Sequence, residues 1–266
     1  MGKIISVYNQ KGGVGKTTTV INLSAALAGS GLLRKKVLIV DMDPQGNASS
    51  GLGVDKNALD HTIYSCLNGD STVEEAILSV EKRLDLLPST PDLVGFEIEA
   101  LGREERDRIL KKVLTPIRDR YHFIFIDCPP SLGMLSLNAL AASDSVLIPI
   151  QAEYYALEGV SQLVATLNMV RDSVNPNLAV EGILLSMYDG RTNLSQDVEA
   201  EVNKYFEKQV YETVIPRNIR LAEAPSFGQS ILAYDRKSKG AEAYMQLAKE
   251  FKKRIKKEGT WQENEV

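Results

Sequence analysis

The sequence predicts an α/β protein with a single doubly wound, mostly parallel sheet flanked by helices. Three observations carry that expectation. Apolar, strand-like runs alternate with helical patterns along the chain, which is the rhythm of βαβ units. Val37–Val40 and Phe123–Ile126 are continuous in apolar residues, as strands buried on both faces of a parallel sheet are. The first apolar run, Ile4–Val7, passes through a glycine-rich turn into a helical pattern, the order a phosphate-binding loop needs.

Composition sets the outer bounds. The chain has 266 residues, ample for a buried core, with 44% hydrophobic and 25% charged residues, ordinary for a globular protein. Its two cysteines, Cys66 and Cys128, exclude a disulfide framework or a thiolate metal cluster. The sequence opens directly on a strand with no signal-peptide pattern, and no apolar run approaches the ~20 residues of a spanning helix. A net charge of −4 makes attraction to nucleic acid a matter for a local patch.

In order along the chain, Ile4–Val7 is a strand that stops at Asn9. Gly12, Gly13 and Gly15 allow a tight turn that brings backbone N–H groups to an anion. Lys16 supplies a point charge for β- and γ-phosphates, and the Thr17 hydroxyl suits a Mg²⁺ position. Val14 and Thr18 complete the loop, and a helix runs from Thr17 to about Ser30 with Val20, Leu23 and Leu27 inward. Gly29–Lys36 reads as a polar, basic turn. Val37–Val40 is a strand that ends in Asp41-Met42-Asp43, whose two carboxylates point the same way and suit a Mg²⁺–water network. Ser71–Glu74 fits a capping box opening a short helix through Ile77. Leu84–Leu87 is a strand stopped by Pro88. The span from about Leu93 to Arg120 reads as charged and mostly helical. His61 and His122 stand alone and read as structural or exposed.

Phe123–Ile126 ends in Asp127, the pattern of a strand whose terminal acid holds the Mg²⁺ hydration shell. Cys128, with no histidine near it in sequence, reads as packing. Ser145–Ile150 and Ala179–Ser186 are strands, each followed by a helix, Leu157 to about Val174 and Leu194–Phe206. The last helix turns Tyr244, Leu247, Phe251 and Ile255 inward and Lys249, Lys252, Lys253 and Lys256 to another face. From Arg217 to Lys257 there are 11 basic and 4 acidic residues, +7 locally against −11 elsewhere. A basic stripe of this kind can follow a phosphate backbone without reading bases. No composition break divides the chain, so residues 1–257 are expected to form one domain with a polar tail at 258–266.

Lys11-Gly-Gly-x-Gly-Lys-Thr-Thr, with Gln10 where the usual loop has glycine, resembles the deviant Walker A loop of the ParA/MinD/Soj ATPases, which are P-loop NTPases. Asp-x-Asp-Pro-Gln-Gly-Asn from Asp41 resembles that family's switch I, and Asp-x-Pro-Pro-Ser from Asp127 its switch II. Pro216-Arg217-Asn218 and Arg-Leu-x-Glu-Ala-Pro from Arg220 resemble segments of the Soj/ParA-type partitioning proteins. These segments span the chain, so the resemblance is nearly full length.

The resemblance implies ATP and Mg²⁺ as cofactors. Lys11 would reach across a nucleotide-sandwiched homodimer to the partner's phosphates. Asp43 would position or activate the attacking water, with Asp41 holding water around Mg²⁺. Pro216 and Asn218 would contact adenine. Arg191 and Arg220 would contact double-stranded DNA without sequence preference, with Lys237, Lys239 and Lys252 assisting. A ParB-type partner would stimulate slow hydrolysis and release the protein from DNA, in the cytoplasm on the nucleoid. The alternative is a MinD-like ATPase that positions itself on a membrane, which needs an amphipathic C-terminal helix. Here few apolar residues remain in that helix beyond those spent on the core, and Trp261 sits in a polar tail, so no stable membrane association is expected. An iron–sulfur reductase of the nitrogenase iron-protein type would need cluster cysteines in contexts that Cys66 and Cys128 lack. The DNA-side motif argues against a metabolic enzyme or metal pump of the same fold class.

Overall fold

A computed structural model of the chain describes residues 1–29, 35–153 and 156–257. Seven strands form one sheet: β1 (Lys3–Val7), β2 (Val37–Asp41), β3 (Leu78–Glu81), β4 (Leu84–Leu87), β5 (Phe123–Asp127), β6 (Ser145–Gln151) and β7 (Ala179–Ser186). Their order is β3-β4-β2-β5-β1-β6-β7, parallel throughout except for the β3–β4 pair. The mostly parallel, doubly wound architecture is therefore the one expected.

The sheet is buried on both faces because its strands are apolar at successive positions. Ile4, Leu38, Ile124 and Ile126 point into one core, and Ile5, Ile39, Phe123 and Phe125 into the other. The first core lies under α3 (Ile63–Asn68), α5 (Leu93–Glu99), α6 (Ile109–Leu114), α7 (Met134–Ala142), α8 (Ala156–Ser173) and α9 (Asn193–Phe206). The second lies under α1 (Lys16–Ala28) and α12 (Lys239–Lys257). Four short helices among the connections complete the set in the described residues: α2 (Asn47–Gly51), α4 (Val73–Ala76), α10 (Ile219–Glu223) and α11 (Ile231–Tyr234).

The inward stripe of α12 is fully spent on this core. Tyr244, Leu247, Phe251 and Ile255 are all buried, with Phe251 edge-on to Phe123 at 5.3 Å between ring centres. Ile255→Val, which removes one methylene from the last turn, should lower unfolding stability by about 1 kcal/mol. Urea denaturation measures this, and an unchanged midpoint would mean that the end of α12 is not part of the core.

The structure corrects one local expectation and adds two elements. The capping box sits one residue later, with Thr72 as the cap and Glu75 closing it at 2.8 Å to the Thr72 N–H. Ser71 and Thr72 each have a hydroxyl and an acid three residues on, Glu74 and Glu75, but the helix begins at Val73, which makes Thr72 the cap. The span from Leu93 to Arg120 is mostly helical, as expected, and runs in short pieces. It breaks after Gly102 and again where Pro116 opens a tight 3₁₀ turn. The edge strand β3 was not expected, because its turn to β4 uses Lys82-Arg83 instead of a glycine pair, with Arg83 at φ 67°. Helix α7 was also not expected: it is apolar nearly all round and so shows no amphipathic period. Most of the expected 29–36 turn and the 258–266 tail lie outside the described residues.

Candidate nucleotide site

Strands β1, β5 and β2 end side by side. Their register sets Val7 beside Asp127 and Asp127 beside Asp41. The glycine loop after β1 thus leaves the sheet next to both carboxylates, at the edge where open parallel sheets take ligands.

The loop needs its glycines where the chain turns. Gly13 and Gly15 have φ of 74° and 88°, a region that strains a residue with a Cβ. Gly15 caps α1 with no side-chain bond, and the first turn carries no acid. The leading N–H groups of a 13-residue helix therefore keep their unpaired donors and the positive end of its dipole. Neighbouring elements hold the loop. Asn9 donates to the Pro149 carbonyl at 2.8 Å, Gln10 to Thr166 at 2.7 Å, and Ser186 to the Val14 carbonyl at 2.7 Å. Gln10 ties the loop to α8, a use for the residue that replaces the usual glycine. The Val14 side chain is packed away, leaving its backbone to the loop.

The two lysines behave differently. Lys16 is 8% exposed, and its Nζ donates to the Lys11 carbonyl at 3.0 Å. Burial lowers its pKa, while Asp127, Cys128 and Asp43 pull the other way. Lys11 is exposed, and its Nζ lies 3.8 Å from Glu153 Oε2.

The carboxylates are sharply divided. Asp41 is fully buried and accepts from the Ser49 N–H at 2.9 Å, the Ser49 hydroxyl at 2.7 Å and the Asp43 N–H at 3.2 Å. Even so, burial pushes its pKa up to about 6. Asp127 is equally buried, and neither carboxylate oxygen has a hydrogen-bond partner among the described residues. Burial first, then the charge of Asp41, raises its pKa well above the ordinary value. The Thr17 hydroxyl and Lys16 favour its charged form without closing a bond. Asp43 Oδ1 accepts from the Gln45 N–H at 2.9 Å. Burial pushes the Cys128 thiol up, which keeps it protonated and inert.

Two hollows meet here. A cleft of about 420 Å³ is lined by Gly12, Gly13, Lys16, Thr17 and Asp43, among others. A second, of about 350 Å³, is lined by Ile215, Pro216, Asn218, Ile219, Leu221 and others. Gly15, Thr18 and Met187 line both. The second hollow is apolar with one polar feature pointing to a ligand: the buried Asn218 Oδ1 has no partner among the described residues. An anion cleft joined to a flat apolar hollow fits the two ends of a nucleotide.

Sequence reasoning missed four residues here. Ser49 holds Asp41 and, through its hydroxyl, the Ser89 N–H at 3.0 Å. Met187, at φ 50°, forms the wall between the hollows. Glu153 and Arg217 pair at 3.6 Å above the loop. None has a local pattern; only the acid two residues past β6 could have been suspected from its place at the carboxyl edge.

The candidate DNA residues divide in two. The chain after β7 runs beside the segment before α10, with the Tyr188 N–H donating to the Ile215 carbonyl at 3.0 Å. This brings the Arg191 loop and α10, with Arg220, onto adjoining segments. Arg191 makes a two-pronged pair with Asp189 at 2.8 and 2.6 Å. Arg220 pairs with Glu223 at 2.9 Å and approaches Asp235 at 3.7 Å. Lys237 and Lys239 are exposed near that turn. Lys252 is not brought there. It lies 13 residues along α12 from Lys239, about 20 Å at the helical rise. It sits near His122, whose pKa burial and the charges of Lys35, Arg83 and Lys252 lower.

A pocket of this shape, at the switch edge of a parallel sheet, defines the class as the phosphate-loop nucleotide-binding proteins. Residues 2–180 match the AAA domain family. The chain is 53% identical over 255 residues to the chromosome partitioning protein ParA of Myxococcus xanthus, covering 96% of this chain and 89% of that one. It is 54% identical over 251 residues to the sporulation initiation inhibitor protein Soj of Bacillus subtilis, covering 94% and 98%. A solved structure of cobyrinic acid a,c-diamide synthase from Mycobacterium smegmatis with bound ADP and magnesium matches with a TM-score of 0.84 at 38% identity, covering 96% of each chain. The chain belongs to the ParA/Soj family of chromosome-partitioning P-loop ATPases.

Proposed function

We propose that the chain is an ATP-driven DNA-partitioning switch. It binds Mg-ATP, pairs with a second copy, coats DNA without sequence preference, and is released when a ParB-type partner speeds hydrolysis. One observation carries the chemistry: a buried, unpartnered Asp127 beside Thr17, at the mouth of an uncapped helix. Two unsatisfied oxygens in a buried site are costly unless a cation or its waters meet them. Hard oxygen groups of this kind suit Mg²⁺ shared with phosphates, so Thr17 and Asp127 would hold it, with Asp41 behind. Bound there, Mg²⁺ would neutralise charge on the β- and γ-oxygens.

The chain's own residues do the rest. The loop N–H groups and Lys16 hold the phosphates, and Pro216 and Asn218 hold the base. Asp43, its Oδ1 fixed by the Gln45 N–H, orients the attacking water. Lys11 turns to the partner's phosphates in the dimer. Neither hollow is lined by a histidine or a glutamate, so unaided turnover is expected to be slow, as suits a timer. The protein would work in the cytoplasm on the nucleoid, as one domain spanning residues 1–257.

The membrane-positioning reading is the weaker one, because the apolar face of α12 is occupied by core packing. The test is co-sedimentation with random double-stranded DNA under ATP, ADP and no nucleotide. The wild type should sediment with DNA only under ATP. Arg191→Ala with Arg220→Ala should weaken binding about 10-fold or more and flatten its salt dependence by about two phosphate contacts. A wild type that ignores DNA in every state would sink the partitioning reading.

A further inference from the structure

Lys11, Glu153 and Arg217 form a cluster, and of its members only Lys11 has a role in the proposed chemistry. The Lys11 backbone is fixed: its N–H is held by Asn9 Oδ1 at 3.0 Å, and its carbonyl is taken by Lys16. Only its side chain is free to swing, and it lies toward Glu153, at 3.8 Å from Oε2. The other oxygen, Oε1, faces Arg217 at 3.6 Å and accepts from Gln151. Glu153 is itself anchored two residues past β6, with its N–H donating to the Gln151 carbonyl at 2.8 Å. One carboxylate two residues past a strand thus lies toward the loop lysine on one side and the Arg217 of the base pocket on the other. Both separations exceed a direct hydrogen bond, and Glu153 is 43% exposed, so the hold is electrostatic, weak and releasable.

We propose that Glu153 is a positioning residue that parks Lys11 inside its own subunit until a nucleotide-bound second copy takes it. This rests on the proposed pairing of two copies through Lys11. Glu153 therefore opposes dimer formation in the absence of ATP. Because it also holds Arg217, entry of a base and capture of Lys11 draw on the same carboxylate.

The test measures self-association by light scattering as a function of protein concentration, with Mg²⁺ and a non-hydrolysable ATP analogue, against ADP. The variants are Glu153→Gln, Lys11→Ala and the pair together. Glu153→Gln should lower the association midpoint about 2- to 5-fold, the range expected of an exposed pair, and leave the apo melting temperature unmoved. In the Lys11→Ala background it should change nothing. A midpoint unchanged or raised by Glu153→Gln overturns the latch. So does a gain that persists without Lys11, which would mark a general charge effect. A wild type that stays monomeric with the analogue overturns the pairing and the latch together, whereas a wild type that pairs while Glu153→Gln pairs no better overturns the latch alone.

Discussion

Lys16→Ala should weaken ATP binding by about 10²- to 10⁴-fold and abolish hydrolysis. The reason lies in where the ammonium sits. It is 8% exposed, it bridges back to the loop carbonyl of Lys11, and it faces Asp127 and Asp43. A phosphate arriving in the cleft would take this donor over in two charge-assisted bonds, each contributing about 1.5–3 kcal/mol. At about 1.4 kcal/mol per tenfold, that gives the range stated. The fold should survive, because the change removes a desolvated charge and α1 keeps a good helix former. Calorimetric titration of ATP, beside a circular dichroism spectrum, checks both halves. A folded Lys16→Ala protein that binds ATP within about threefold of the wild type would show that the glycine loop is not the phosphate site.

Asp127→Asn should act in opposite directions on stability and activity. Asp127 is a fully buried carboxyl whose oxygens have no hydrogen-bond partner among the described residues, beside the buried Asp41. Its folded-state pKa is raised well above the ordinary value by burial and then by Asp41. The folded state therefore holds a proton that the unfolded chain gives up. Stability is fully present below the unfolded carboxyl pKa of about 3.9 and is lost as pH rises through the raised folded value. An amide of the same shape removes this cost and can donate toward Asp41. The gain should be about 1–3 kcal/mol near neutral pH, or roughly 3–8 °C in melting temperature for a chain of this size. The pH slope should flatten. Hydrolysis should meanwhile fall by at least about 100-fold, since the acid beside Thr17 is gone. Thermal melts at pH 5 and pH 8, with and without Mg-ATP, read all of this. A variant less stable than the wild type at pH 8 would show that the carboxylate is satisfied in the folded protein and is not waiting for a cation.

Such a trade is what a site built for a ligand should display. Interactions that await a charged partner are a cost until it arrives, and binding then returns it as stability. Asp41, its near neighbour, shows the contrast: three donors from Ser49 and Asp43 satisfy it within the protein.

The sequence by itself determined the elements whose signal is local. Apolar strands such as Phe123–Ile126 bury both faces and need no partner to be recognised. The glycine loop was legible because positive φ, close backbone approach and a following helix each demand a particular residue. The acids at 41, 43 and 127 were legible because they end such strands. What only the tertiary structure decided was everything that depends on neighbours distant in the chain. Asp41 and Asp127 look alike as strand-ending acids, yet Ser49, brought in by the packing of α2 against β2, bonds to Asp41, while Asp127 has no hydrogen-bond partner among the described residues. Helix α7 carries no period because it is buried all round. The turn into β3 has no glycine to announce it, and Arg83 accepts a left-handed backbone held by the strands on either side. Lys252 and Arg220 share a basic stretch in sequence, yet the length of α12 carries Lys252 about 20 Å from Lys239, to the neighbourhood of His122. Glu153, Met187 and Arg217 meet at the nucleotide pocket only because β6, β7 and the chain before α10 converge at one edge. A side chain's chemistry is written locally, but its burial and its partners are set by the fold.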